Sequence, residues 1–383
     1  MKVEHNISRI RHLLEMYRMD VHEFLQKISD GLKNPITKED VFGKEIKVAY
    51  LKRIDKIFEK GLHYYLDPKA PEKSKEASVF FRKQNFQNDE LNLGAVKIVN
   101  HFEELKLSLS AIAKLSDLDF KRKINKYSIS DSPMEIALRA RRALYPKFDK
   151  NRRNFLKALI SSLATKNILV FEFIETWNKR EKANIDGFYL KPNMIVLKRH
   201  QSFSREIFTL AHELGHYLID EEEIEEINYS LYNNDLSSIE KWCNDFAFFF
   251  LAGEYANSLD MLEVASPDND YHHEFIEKVS KNTHLSQLSL FTRLLYKDKI
   301  SKHNYALVRR EFEEIYRQKQ EEKEREKQLL KEQGIKQRGS VAKPISSPLF
   351  LSTIQTAFYE GVLNEYEVCK KLNIKPENLE RYI

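Results

Sequence analysis

The chain has 383 residues, 42% of them hydrophobic, which suits two or three packed units rather than one small core. Its 10 glycines, 10 prolines and 32% charged residues point to a helix-rich protein with few tight turns. The 63 basic residues outnumber the 58 acidic ones by only five, too small a surplus to announce a nucleic-acid binder.

Cys243 and Cys369, the two cysteines, lie far apart, which excludes a disulfide framework and fits a reducing cytosol. The opening stretch Met1-Lys2-Val3-Glu4-His5 lacks an apolar signal core. The longest apolar run, Phe246 to Ala252, is too short to span a bilayer. The expectation is a cytoplasmic protein with no membrane partner.

Residues 1–70 read as a helical unit. Ile7, Ile10, Leu13, Leu14 and Tyr17 recur at helical spacing, as do Val21, Phe24, Leu25 and Ile28, then Leu51, Ile54, Phe58 and Leu62. Short helices with polar connectors describe a helix-turn-helix domain or any small helical bundle. Arg9, Arg11, Lys52, Arg53 and Lys56 are candidates to meet DNA phosphates. Residues 71–131 read as a connector, with a β-compatible run at Ala77–Arg82 and one or two helices between Leu93 and Leu118.

The next unit, 132–315, opens on Ser132-Pro133-Met134-Glu135, a capping box with proline at the first helical position. A helix carrying Phe155, Leu156, Leu159, Ile160 and Leu163 follows. Strands are expected at 168–173, 185–190 and 194–197, the last two joined by a Lys191-Pro192-Asn193 turn. This small antiparallel sheet precedes the metal motif, and Ile195, Val196 and Leu197 are candidates to pair with an extended substrate. The hairpin could equally serve only to cap the core.

The motif is His212-Glu213-Leu214-Gly215-His216. Its spacing puts both imidazoles one turn apart on one helix face, within reach of one metal ion. Glu213 lies about 100° round the helix, placed to touch a water rather than to ligate. The other face, Ile207, Leu210, Leu214 and Leu218, is apolar and can anchor the helix, and Gly215 leaves room for close packing.

An acidic run from Asp220 to Glu226 reads as a solvated helix end. Ile239 to Leu251 is an apolar helix containing Glu240 and Asn244. Residues 274–315 are helical again, with Leu285, Leu288, Phe291 and Leu295 in register. Residues 316–347 read as a solvated charged helix and linker without coiled-coil heptads. Residues 348–383 regain a core pattern through Leu351, Ile354, Phe358, Val368, Leu372 and Leu379, as a small, second helix-turn-helix-like module.

Catalytic zinc takes three protein ligands and leaves one position open. Glu240 is the choice for the third, since a charge at the start of a buried helix is otherwise expensive. Asp220, Cys243, His272 and His273 compete. Asn244, one turn on, could hydrogen-bond a ligand. With His212, His216 and Glu240 as ligands, zinc lowers the pKa of its water, Glu213 takes the proton and later delivers it to the leaving amine. Tyr217 and Tyr189 are guesses for a second oxyanion donor. Mn²⁺ can occupy similar sites.

Several runs together resemble a known family. Asn184-Ile185-Asp186-Gly187-Phe188, Ile195-Val196-Leu197, Phe208-Thr209-Leu210-Ala211-His212-Glu213-Leu214-Gly215-His216 and Glu240-Lys241-Trp242-Cys243-Asn244-Asp245-Phe246-Ala247 are similar to the ImmA/IrrE metallo-endopeptidases. The resemblance covers about residues 133 to 260. It departs at Cys243, where the family carries alanine, and at Phe250-Leu251-Ala252-Gly253, where Leu-Leu-Met-Pro is common. It implies an α+β, mostly helical, zincin-like fold, zinc held by His212, His216 and Glu240, and Glu213 as general base. It also implies an XRE-type helix-turn-helix in residues 1–70 and a helix-turn-helix repressor as the substrate, whose loss switches on stress or mobile-element genes. The alternatives are a DNA-binding regulator whose zinc domain senses or scaffolds, and a toxin–antitoxin or phage-defence component.

Overall fold

The computed structural model describes residues 1–17, 19–58, 60–71, 91–175, 182–200, 202–222, 237–333 and 343–383. The β-compatible run expected at 77–82 and most of the acidic run lie outside these. The chain divides into two compact units, residues 1–105 with 180–184, and residues 106–179 with 185–383. No described helix is long and apolar enough to cross a membrane.

In the first unit two short strands, β1 (Lys2–Glu4) and β2 (Glu45–Lys47), pair antiparallel. Helices Ile7–Met16 and Val21–Ser29 are capped by Asn6 and Asp20 and bury the expected stripes, Ile10, Leu13 and Leu14, then Phe24 and Ile28. Phe58, from helix Val48–Phe58, meets the rings of Tyr17 and Phe24 at 5.0 and 6.0 Å. The third helix, Lys38–Phe42, has five residues and carries Glu39 and Asp40 in its first turn. That length and that charge suit a phosphate-lined groove poorly. Two of the five candidate phosphate contacts are committed within the unit. Arg9 donates to Asp67 at 2.6 Å and to the Lys69 carbonyl at 2.9 Å. Arg53 donates to the carbonyls of Ile28 and Asp30, both at 3.0 Å, closing the end of the second helix.

The second unit is built on a three-stranded sheet in the order β3-β5-β4, with β3 at Leu169–Phe173, β4 at Gly187–Leu190 and β5 at Met194–Lys198. The β4–β5 hairpin is antiparallel, while β3 joins β5 in parallel. β3 and β4 are the two outer strands, so the last strand in sequence is the central one. β5 is buried from Met194 to Leu197, with hydrogen-bonded neighbours on both sides. Around this sheet lie helices Pro133–Leu144, Arg152–Ala164, Phe203–Ile219 and Ser238–Ala252, and one apolar core runs through them. Ser132 caps the first of these, its Oγ accepting from the Glu135 N–H at 3.4 Å.

The charged segment is no separate domain. Lys302–Glu332 is one helix of 31 residues, so the boundary expected at 315/316 falls inside it. Tyr305 and Val308 bury its base in the core, and from Glu313 onward its side chains are mostly exposed. The tail is not a free-standing module either, because helix Pro348–Tyr359 belongs to the second unit. Phe350 meets Phe171 of β3 at 5.2 Å, edge to face. Just before it, the Ile345 N–H donates to Glu172 Oε2 at 2.6 Å.

Glu172 belongs to a buried cluster. Arg199 bridges its carboxylate and that of Glu206, with Nε 3.4 Å from Glu206 Oε1, and the His200 N–H donates to the same oxygen at 2.8 Å. Burial pushes the Glu206 carboxyl up, and the neighbouring Glu172 pushes it further, against the pull of the His200 N–H and Arg199. The folded chain therefore binds more protons here than the unfolded chain. Its stability falls as pH rises from the ordinary carboxylate range into the mildly alkaline range. We expect a slope of up to about 1.4 kcal/mol per pH unit from this site, and Glu206→Gln flattens it. Urea midpoints of both proteins between neutral and mildly alkaline pH check this; parallel curves would sink the assignment.

Candidate metal centre

Two helices build the centre. The first is Phe203–Ile219, buried along almost its whole length and ended by Asp220 in the left-handed conformation. The second is Ser238–Ala252, whose N-cap Ser237 accepts from the Glu240 N–H at 3.1 Å. Glu240 is thus in the first turn, where the helix dipole favours a negative charge. The helices meet at Gly215. A Cβ there would stand 3.2 Å from Cys243 Cα and Sγ, so only glycine admits this approach without displacement. Cys243 is this contact surface. Gly215→Ala is expected to cost roughly 1–3 kcal/mol by forcing the helices apart. Its denaturation midpoint reads this directly, and an unchanged midpoint would mean the contact gives freely.

The approach brings three ligand atoms together. His212 Nε2 and His216 Nε2 lie 3.1 Å apart, and the Glu240 oxygens lie 2.9 Å from the first and 3.0 Å from the second. His216, Glu213 and Glu240 are buried and His212 is partly so. The outer nitrogens are committed as well. His216 Nδ1 donates to the Glu221 carbonyl at 3.2 Å, and His212 Nδ1 lies 3.1 Å from Asn244 Oδ1. A carbonyl can only accept, so the proton of His216 sits on Nδ1 and the Nε2 lone pair faces inward. Two imidazole nitrogens and a carboxylate converging in this way suit a divalent cation. Burial alone would push the Glu240 carboxyl up, but the two imidazoles together hold it well below the usual carboxylate range.

Glu213 stands beside this group without joining it. Burial pushes its carboxyl up to about 7, with the imidazoles of His216 and His212 pulling the other way. Its Oε2 has no hydrogen-bond partner among the described residues. An orphaned carboxylate oxygen next to three converging ligands is placed to receive a proton from a water between them.

The wall opposite Glu213 is β4. A Cβ on Gly187 would stand 2.6 Å from Thr209 Cγ2 and 3.4 Å from Glu213 Cγ, so the strand lies directly on the motif helix. Upstream, Asp186 receives Arg205 Nε at 2.5 Å and lies 2.8 Å from His200 Nε2. Downstream, the Tyr189 hydroxyl donates to Asp220 at 3.1 Å. β4 therefore runs alongside the helix from its N-terminal to its C-terminal end. Its outer edge has no strand partner among the described residues.

Several expectations are corrected by this arrangement. Ile195, Val196 and Leu197 cannot pair with a substrate, because β5 is the central strand and both its edges are taken. The Tyr189 hydroxyl is engaged by Asp220 and the Pro192 carbonyl, while the Tyr217 ring lies under Arg122 at 4.0 Å and its hydroxyl has no hydrogen-bond partner among the described residues. Among the rival ligands, Asp220 meets Tyr189 and Lys126, Cys243 packs under Gly215, His272 meets the Glu263 carbonyl at 3.1 Å, and His273 faces Glu311 at 3.6 Å. Sequence reasoning overlooked the Glu221 carbonyl, which no side-chain pattern could reveal. It also overlooked Gly187 as the wall of the site, for which the Asp186-Gly187 pair ahead of an apolar run was the available signal.

Comparison with curated proteins and with solved structures gives no match. A sequence model of the Peptidase_M78 family, described as the IrrE N-terminal-like domain, matches residues 166–282. That span includes both imidazoles, Glu213 and Glu240, so the segment holding them is similar to the IrrE N-terminal-like domain, and its His/His/Glu cluster has the make-up of a metallopeptidase metal site.

Proposed function

We propose that this protein is a zinc-dependent endopeptidase that cleaves a protein substrate in the cytoplasm. The observation that carries the reading is the convergence of His212, His216 and Glu240 on one point, with Glu213 Oε2, orphaned among the described residues, beside it. In this reading His212, His216 and Glu240 hold the ion and Asn244 orients His212. A bound zinc ion supplies Lewis acidity and brings a water's pKa towards neutrality. Glu213 accepts the proton of the attacking water and hands it to the departing amine. An extended peptide adds along the outer edge of β4, which has no strand partner among the described residues, antiparallel to it, so that main-chain pairing aligns the scissile bond over Glu213. Such pairing makes little demand on side chains. Selectivity for one protein then comes from outside the cleft.

The resemblance to ImmA/IrrE peptidases suggests a helix-turn-helix repressor as that protein, and control of stress or mobile-element genes as the outcome. The rival reading, a DNA-binding regulator built on residues 1–70, lacks a supporting observation there. Its third helix is five residues long and acidic, and Arg9 and Arg53 are engaged internally. The test is to incubate the zinc-loaded chain with extract of its host and to sequence the new N-termini. Cleavage should appear at few sites and vanish with a chelator; a loaded chain that generates no new N-terminus in any extract overturns the reading.

A further inference from the structure

The helix that carries both imidazoles ends in a closure that uses Glu221 twice. The Asp220 N–H donates to the Tyr217 carbonyl at 3.2 Å and the Glu221 N–H to the His216 carbonyl at 3.1 Å, the paired bonds that form when the chain turns left-handed past a helix end. The same turn brings the Glu221 carbonyl to His216 Nδ1 at 3.2 Å. Glu221 thus holds His216 by its main chain and by its ring. What fixes Glu221 in turn is found on its two neighbours.

Asp220 has φ 56°, a conformation that glycine takes at no steric cost and that most side chains resist. Its carboxylate is not needed to finish the helix. The Leu218 carbonyl already receives the Tyr127 N–H at 2.9 Å, and Arg122 Nη2 meets the carbonyls of Tyr217 and Leu218 at 2.5 and 3.1 Å. The carboxylate goes instead to β4. The buried Tyr189 hydroxyl has one proton, which lies between Asp220 Oδ1 at 3.1 Å and the Pro192 carbonyl at 2.9 Å. Burial, and then the Asp220 carboxylate, push this hydroxyl up, so it keeps its proton and donates. Lys126 Nζ at 3.2 Å and Arg122 Nη1 at 3.8 Å are partly exposed partners of Asp220 and contribute less. On the other side of Glu221, the buried Glu222 receives the Lys191 N–H on Oε1 at 2.7 Å. Both neighbours of Glu221 are therefore tied to the same place, the end of β4 and the first residue of its turn.

We propose that Asp220 and Tyr189 are positioning residues of the metal centre: their hydroxyl–carboxylate tie fixes the left-handed turn, so that the Glu221 carbonyl holds His216 Nδ1 and the ring presents Nε2 to the ion. Neither residue is a ligand; both act through Glu221. The tie is a hydrogen bond to a charged acceptor in a largely buried setting, the kind that holds geometry well. The proposal rests on the reading of His212, His216 and Glu240 as a metal site. It adds that the strand whose outer edge is proposed to take the peptide also aims one of the ligands. A one-residue change in β4 that leaves its main chain untouched should then be felt at the metal.

The test uses the full chain, freed of metal, with zinc and cobalt as probes. Competition against a coloured chelator gives zinc affinity, and the visible absorption of the cobalt-loaded chain reports ligand geometry. Asp220→Gly keeps the left-handed turn and removes the tie. It should lose about tenfold in zinc affinity, the lower end of what loss of a ligand's own outer partner costs, and alter the cobalt bands. Asp220→Asn tolerates the same turn and still offers Tyr189 an acceptor, so it should restore the bands and stay within about threefold of wild type. Tyr189→Phe keeps the ring against Tyr217 and loses only the hydroxyl, and should move both readouts towards those of Asp220→Gly. Should Asp220→Gly fail to fold, Tyr189→Phe decides alone. Wild-type affinity and spectrum in Asp220→Gly or in Tyr189→Phe overturn the proposal. Equal losses in Asp220→Asn and Asp220→Gly overturn it too, because the charge of Asp220 and not its tie to Tyr189 would then be what matters. A wild-type chain that binds neither ion sinks the metal-site reading itself, a result distinct from any difference among the variants.

Discussion

Glu213→Gln is expected to leave metal stoichiometry at the wild-type value and to lower the cleavage rate by about 10²–10⁴-fold. The two halves of this result come from different contacts. Retention follows because Glu213 is not among the three atoms that converge, and because glutamine fills the same space against β4, where Gly187 leaves just enough room. Loss follows because an amide cannot take the proton that the carboxylate, raised to about 7 by burial, is poised to accept near neutral pH. Inductively coupled plasma analysis and a cleavage assay on the same preparation read both halves. Cleavage at the wild-type rate would remove Glu213 from the chemistry. Loss of metal together with rate would instead make it a structural part of the site.

The second large effect is on affinity for the metal. Glu240→Ala removes the only carboxylate in the cluster and leaves two imidazoles to hold a divalent ion. We expect zinc affinity to fall by more than about 100-fold, beyond what loss of an outer hydrogen bond to a ligand does. Asn244→Ala gives that lesser case, since it removes the partner of His212 Nδ1 and no ligand, and should lie within about 10–100-fold. Competition against a coloured chelator orders the three proteins. An Asn244→Ala protein weaker than Glu240→Ala would reverse the assignment of the ligand, and equal affinity of Glu240→Ala and wild type would remove Glu240 from the centre.

The residues of the centre were legible because their relation is local. His212, Glu213 and His216 are joined by helical spacing, and Glu240 stood out as a carboxylate at the start of a long apolar helix, where a charge needs a reason. The strand order was not legible. Which of two strands in a hairpin faces a free edge depends on where a third strand, β3, inserts, and no pattern inside β4 or β5 carries that information. Gly187–Leu190 and Met194–Leu197 are buried alike and read alike. The Glu172–Arg199–Glu206 cluster was invisible for a related reason. Its members look like ordinary surface charges until the fold places them against each other and against the Ile345 N–H, far along the chain. Gly215 between the two histidines implies a close helix approach, and Cys243 is the residue that fills the space.

The division of the ligands between two helices has a consequence for the life of the protein. His212 and His216 belong to one helix and Glu240 to the next, so an ion held by all three ties together points that the unfolded chain would let drift apart. Free metal then acts as a thermodynamic ligand of the native state alone. At a concentration 100 times its dissociation constant it adds about 2.7 kcal/mol to stability. In a cell starved of the ion, the chain opens more often and is exposed to quality-control proteases. The abundance of this peptidase would thus follow metal supply even when its gene is read at a constant rate.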